Sequence, residues 1–162
     1  MSTEFNDEKN RTVFLINNID LIFQEYSRDD VATDLSIFEE ASHTLREQFI
    51  DLQLTEIFGD LVALGLKMKG ETIPPESEVE RFVNDFAQNW KKGINLIKVI
   101  EKDLFSTDQT RSEILKATLM RLTMTFNDVS DGIKKFFPQI RKGLVPVHNI
   151  MNEINTVLST PI

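Results

Sequence analysis

Among its 162 residues the chain has no cysteine, two histidines, one tryptophan and one tyrosine. Without cysteine there are no disulfides, no thiolate metal sites and no cysteine nucleophile, and the composition fits a reducing compartment. With only His43 and His148, a three-histidine metal centre cannot be assembled within one chain. No run of about 18 uninterrupted apolar residues is present, and the stretch from Met1 to Asn10 is too polar for a signal peptide. These features predict a cytoplasmic protein. A phosphate-binding glycine loop, a Gly-x-Ser-x-Gly elbow and a dinucleotide fingerprint are all missing. The nearest approach to metal chemistry is Glu40-x-x-His43, the pair that di-iron bundles repeat on a second helix; the residue three before His148 is Val145, so no second copy exists. No catalytic, cofactor-binding or metal-binding residue is expected, and the chain is not read as an enzyme.

Acid is what the chain has in excess. The net charge is -8, with seven basic against 19 acidic residues in 1–85 and 11 against seven in 86–162. Such a balance repels phosphate backbones, and the mildly basic half lacks the clustered arginines and aromatics of a nucleic-acid groove, so no nucleic-acid partner is expected. Lys91, Lys92, Lys98 and Lys102 form a local basic patch.

Apolar spacing predicts helix almost throughout. Val13 to Phe23 is apolar on nearly every side of a helix expected from about Arg11 to Tyr26, which predicts a helix surrounded by other elements. Asn17 and Asn18 interrupt it, and mid-helix asparagines ask for specific hydrogen-bond partners. A second helix follows Asp34, its expected N-cap, with Leu35, Phe38, Leu45, Phe49 and Leu52 on one stripe and a break near Leu54 and Thr55. Ile57, Phe58, Leu61, Leu64 and Met68 continue the stripe to Gly70, expected to close it in a left-handed cap. Gly59 and Gly65 are expected to permit close packing. Pro74 and Pro75 force a loop, and Ser77 with Glu80 reads as a capping box for a helix stepping through Phe82, Phe86, Trp90, Ile94 and Ile97 to Leu104. Leu115, Leu119, Leu122, Phe126, Val129, Ile133 and Phe136 alternate steps of four and three, as along a helix seam. Pro138 ends that helix, and a last one should start near Pro146. The expected fold is all-α, an elongated antiparallel bundle of five or six helices. Its expected limits are a flexible segment at 1–10, a bundle domain at 11–158 and a tail at 159–162.

Three blocks add a resemblance. Phe14-Leu15-Ile16-Asn17-Asn18 is similar to the Phe-Leu-x-Asn-Asn pattern of helical-rod tethering proteins, and Phe58-Gly59-Asp60-Leu61 and Phe86-Ala87-Gln88-Asn89-Trp90-Lys91 agree in order with one of them. The chain resembles the C-terminal region of subunit fifty-two of the vacuolar protein sorting family, a component of the Golgi-associated retrograde protein (GARP) complex. That family commonly has tyrosine after the paired asparagines, where this chain has Ile19.

The resemblance implies a non-enzymatic tether in retrograde transport from endosomes to the trans-Golgi network. It would be cytoplasmic and held peripherally at those membranes through its partners: sibling tethering subunits, a Golgi Rab GTPase and SNARE proteins. The family's coiled-coil region would lie N-terminal to this stretch. No cofactor is implied. Candidate partner-binding residues are the acidic face with Glu39, Glu40, Glu47 and Asp51 and the basic face with Lys91, Lys98 and Lys102. The seam from Leu115 to Phe136 also leaves a self-associating structural bundle as an alternative.

Overall fold

The computed structural model describes residues 3–28, 34–70 and 72–161, and among these it has six α-helices and no strand. They are α1 (Thr3–Arg28), α2 (Ser36–Ile57), α3 (Gly59–Lys69), α4 (Glu76–Leu104), α5 (Asp108–Phe136) and α6 (Val147–Ser159), with one 3-10 turn at Arg141–Gly143. At 1.5 Å per residue, α4 and α5 are each roughly 43 Å long. Three residues separate them, which leaves antiparallel packing as the geometry such a turn allows. Cross-helix pairs fix the rest. Lys9 pairs with Glu56 and Arg46 faces Asp20, so α1 runs against α2. Asp51 meets Arg121 and Lys69 meets Asp128, so α2 and α3 run alongside α5 in the same direction. The chain thus reverses direction between α1 and α2, between α3 and α4 and between α4 and α5, while α3 continues in the direction of α2 past the break at Phe58.

The core is built from the predicted stripes. Ile94 and Ile97 of α4 and Leu119, Leu122, Phe126, Val129 and Ile133 of α5 are buried, and Phe86 stacks on Phe126 at 4.7 Å. Full burial of each such side chain contributes about 1.5–3 kcal/mol before chain entropy is counted. The seam of α5 is therefore occupied by the chain's own helices, which removes the observation behind self-association. At its end Phe136 is exposed and Phe137 is buried instead, because the helix stops there and the chain turns inward ahead of Pro138.

Several local expectations change. Helix α1 begins at Thr3, eight residues before the expected start, and Lys9 is buried within it. It is not surrounded on all sides. Thr12, Val13, Ile16, Ile19 and Asp20 form its buried face, while Phe14 is 64% and Leu21 53% exposed, because α1 lies on the outside of the bundle and packs mainly against α2. The Ser77–Glu80 capping box does not form: α4 starts at Glu76, so Ser77 already lies inside the first turn, and the Pro75 carbonyl accepts from Glu78 and Val79. Gly70 ends α3 at φ -79, not in the left-handed region. Asp34 sits one residue ahead of the N-cap, and hydrogen bonding from the Ser36 side chain, then from the Ser36 amide at 3.0 Å, lowers its carboxyl below the ordinary value.

Candidate partner-binding surfaces

Asn17 shows how the bundle uses polar groups inside an apolar block. Its amide nitrogen donates to the Leu104 carbonyl and its oxygen accepts from the Ser106 amide, both at 2.9 Å, satisfying backbone at the α4–α5 turn. Asn18 only donates to Phe14 within its own helix, and with Phe14 and Leu21 it forms an outward stripe on α1.

The seven predicted contact residues divide in two. Arg121 of α5 binds Glu47 and Asp51 together, the latter at 2.8 Å, so both acids tie α2 to α5. Lys98 donates to the carbonyls of Val157 and Thr160 at 2.8 and 2.9 Å, closing the C-terminal end of α6, where a cation also meets the negative end of the helix dipole. Outward and without an ion pair among the described residues are Glu39 and Glu40 on α2 and Lys102 on α4. Lys91 is also outward, 3.8 Å from Glu153 and over the Trp90 ring.

Two concavities stand out. One, about 450 Å³, opens between the α2–α3 break and α4 and is lined by Phe58, Asp60, Phe86, Asn89, Trp90 and Gly93. Two of the three sequence blocks that carry the resemblance meet there: Phe58 lies 6.0 Å from Phe86, and its ring fills the space above Gly93. The other, about 670 Å³, lies between α1, α2 and the start of α5. Thr107 caps α5 by accepting from the Thr110 amide at 3.0 Å. Arg46 reaches Glu113 at 2.6 Å and Thr110 Oγ1 at 3.2 Å, and hydrogen bonds from Gln109 and then from Arg46 hold the Glu113 carboxyl below its ordinary value. Asp20 is 6% exposed; its Oδ1 lies 3.7 Å from Arg46, and its Oδ2 has no hydrogen-bond partner. Sequence reasoning passed over Asp20, Arg46 and Glu113. The available signal was Asp20 itself, an acid inside an otherwise apolar helical block.

Among the described residues, no serine or threonine hydroxyl is hydrogen-bonded to His43 in the second concavity, and the first is lined by no histidine. Among the described residues no group of three or more His, Cys, Asp or Glu is placed to hold a metal ion. No described helix is long and apolar enough to cross a membrane.

No protein-family model and no solved structure matches the chain. Curated proteins do. Vacuolar protein sorting-associated protein 52 A of Arabidopsis thaliana is 30% identical over 167 residues, which cover 94% of this chain and 23% of that protein. The vacuolar protein sorting-associated protein 52 homologs of Homo sapiens and Mus musculus are each 23% identical over 174 residues, covering 95% of this chain and 23% of each. The chain thus spans about a quarter of the length of these relatives and aligns with their C-terminal part. Over nearly its whole length the chain is therefore similar to the C-terminal part of the vacuolar protein sorting-associated protein 52 proteins.

Proposed function

We propose that this chain is a non-enzymatic part of a vesicle-tethering subunit of the GARP complex, acting in retrograde transport from endosomes to the trans-Golgi network. The observation that carries the reading is the match along 94% of the chain to the C-terminal part of a vacuolar sorting protein. The outward stripe of Phe14 and Leu21 supports it, since exposed large apolar groups close together mark interaction surfaces. In this reading the bundle binds sibling subunits, a Golgi Rab GTPase or SNARE proteins, and reaches membranes peripherally through them. Of the candidate residues, Glu39, Glu40 and Lys102 are free to meet a partner; Lys91, Glu47, Asp51 and Lys98 would first have to leave their own contacts. A pull-down with the purified chain as bait, offering a panel of Rab GTPases in both nucleotide states, SNARE proteins and sibling tethering subunits, tests this. Retention of a GTP-loaded Rab, a SNARE protein or a sibling subunit is expected; retention of none would overturn the reading.

A further inference from the structure

We infer that the end of the bundle built from the α5–α6 connection is a docking face for an anionic membrane surface, with Lys135, Arg141 and Lys142 on the lipid phosphates and Phe136 among the headgroups. The tethering reading has the bundle reach membranes through its partners; this contact is direct and does not depend on that reading.

Charge is the first observation. The chain carries a net charge of -8, yet from Gly132 to Asn152 it holds Lys134, Lys135, Arg141 and Lys142 and no acid. All of these bases are exposed. Lys134 lies 3.6 Å from Asp131, whereas Lys135, Arg141 and Lys142 have no ion pair among the described residues. From α4, Glu76 reaches the connection and accepts from Gln139 at 2.8 Å, so Asp131 and Glu76 only partly offset the bases.

Free acids gather at the opposite end. Arg46 ties α2 to Glu113 near the start of α5, which places Glu39, Glu40 and Glu113 in that region. Along α5, Glu113 and Lys134 are roughly 32 Å apart at 1.5 Å per residue. The Debye length at physiological salt is about 8 Å, so a surface approached by the basic end feels little of those acids.

The connection is also held in shape. Phe137 and Ile140 are buried, the Ile140 amide donates to the Phe137 carbonyl at 2.9 Å, and a Cβ on Gly143 would stand 2.9 Å from Val83, so the turn lies close against α4. Its outward side chains therefore lose little backbone freedom on docking. Phe136 is 43% exposed, with Lys135 Nζ 4.9 Å from its ring centroid. An apolar ring beside bases is the combination that settles at the headgroup boundary. Exposed Ile73 lies three residues before Glu76 and so belongs to the same end. None of these residues lines either concavity described above. A basic, aromatic tip without a hollow suits a broad charged surface, whereas a folded acidic partner calls for shape complementarity.

The test is flotation of the purified chain with vesicles of phosphatidylcholine alone and of phosphatidylcholine with roughly 30% phosphatidylserine, an anionic surface like that of a cytoplasmic leaflet. Soluble poly-glutamate, assayed separately, stands in for an acidic protein. Binding to the phosphatidylserine vesicles alone is expected, and it should vanish at about 0.5 M salt as the charges are screened. Lys142→Glu, an exposed change, should weaken it at least about fivefold, the worth of one basic residue near an anionic leaflet. Phe136→Ala should weaken it about three- to tenfold through lost apolar contact. Lys116→Glu, exposed in the first third of α5, should change it less than about twofold. No binding, equal binding to both vesicles, unchanged binding in Lys142→Glu or Phe136→Ala, a loss in Lys116→Glu as large as in Lys142→Glu, or tighter binding to poly-glutamate than to vesicles of equal charge would each overturn the inference. Failure here with a positive Rab, SNARE or sibling-subunit pull-down removes this contact and keeps the tether. Vesicle binding with no partner in the pull-down does the reverse.

Discussion

Glu101 lies on α4 at 1% exposure, hydrogen-bonded through Oε1 to Thr118 Oγ1 at 3.0 Å, with Oε2 unpartnered. Burial pushes its carboxyl up to about 8, against smaller opposing effects of the Thr118 hydrogen bond and the Lys9 charge. The folded chain consequently keeps a proton that the unfolded chain loses near its ordinary value of 4.5. A state that binds more protons is favoured at low pH, so this group makes stability fall as pH rises between about 4.5 and 8, by roughly 1.4 kcal/mol per pH unit at the steepest. Glu101→Gln keeps an acceptor for Thr118 without a titrating proton. Urea unfolding of both proteins across that window should show a flatter dependence for the variant and greater stability than the parent near pH 8. Parallel curves would contradict the assignment. Neither Glu101 nor Asp20 was identified from sequence, since spacing shows which face of a helix turns inward and not which acid on that face lacks a partner. The need for a partner at Asn17 was legible, because an amide in an apolar helix raises that question by itself; the partner, 87 residues away, was not.

At the scale of single helices, the long periodic segments were read well and their ends poorly. Helices α4 and α5 carry stripes of large apolar residues whose period survives any shift of a residue or two at the termini, and Pro74, Pro75 and Pro138 bounded them correctly. The caps depended on which residue takes the first helical position, and there α4 starts two residues earlier than the Ser77–Glu80 box requires. Glycine roles were also misplaced. A Cβ on Gly59 would meet nothing within 4 Å, and one on Gly65 would make ordinary contacts at 3.5 Å with Thr125 and Val129. At Gly93 a Cβ would stand 2.4 Å from Phe58 Cζ, so it is this glycine that lets the α2–α3 break seat its ring against α4. Gly93→Ala should therefore lower stability by about 1–2 kcal/mol, overpacking outweighing the gain in helix propensity. Gly65→Ala, in the interior of α3 with room for its methyl group, should raise stability by about 0.5–1 kcal/mol. Denaturant midpoints of the two variants measure this, and shifts of the same sign would show that the Phe58 contact does not control the site.

For the whole molecule, the all-α bundle followed from the helical period and the near absence of strand signals, and the family resemblance from three short blocks, two of which the fold brings to one groove. What the sequence could not give was the outside of the bundle. Helix α1 is apolar enough to be central, and only tertiary packing decides that its Phe14 and Leu21 stay uncovered while Ile16 goes inward. The same packing commits Glu47, Asp51 and Lys98 to internal contacts and leaves Glu39 and Glu40 free. In the proposed role the bundle acts by what it holds. The most direct measurement is hydrogen exchange of the backbone amides, with and without the GTP-loaded Rab, SNARE protein or sibling subunit recovered by the pull-down. We expect slowed exchange confined to the outward parts of α1 and α2, with the α4–α5 core unchanged; identical exchange in the presence and absence of every partner would contradict a role in tethering.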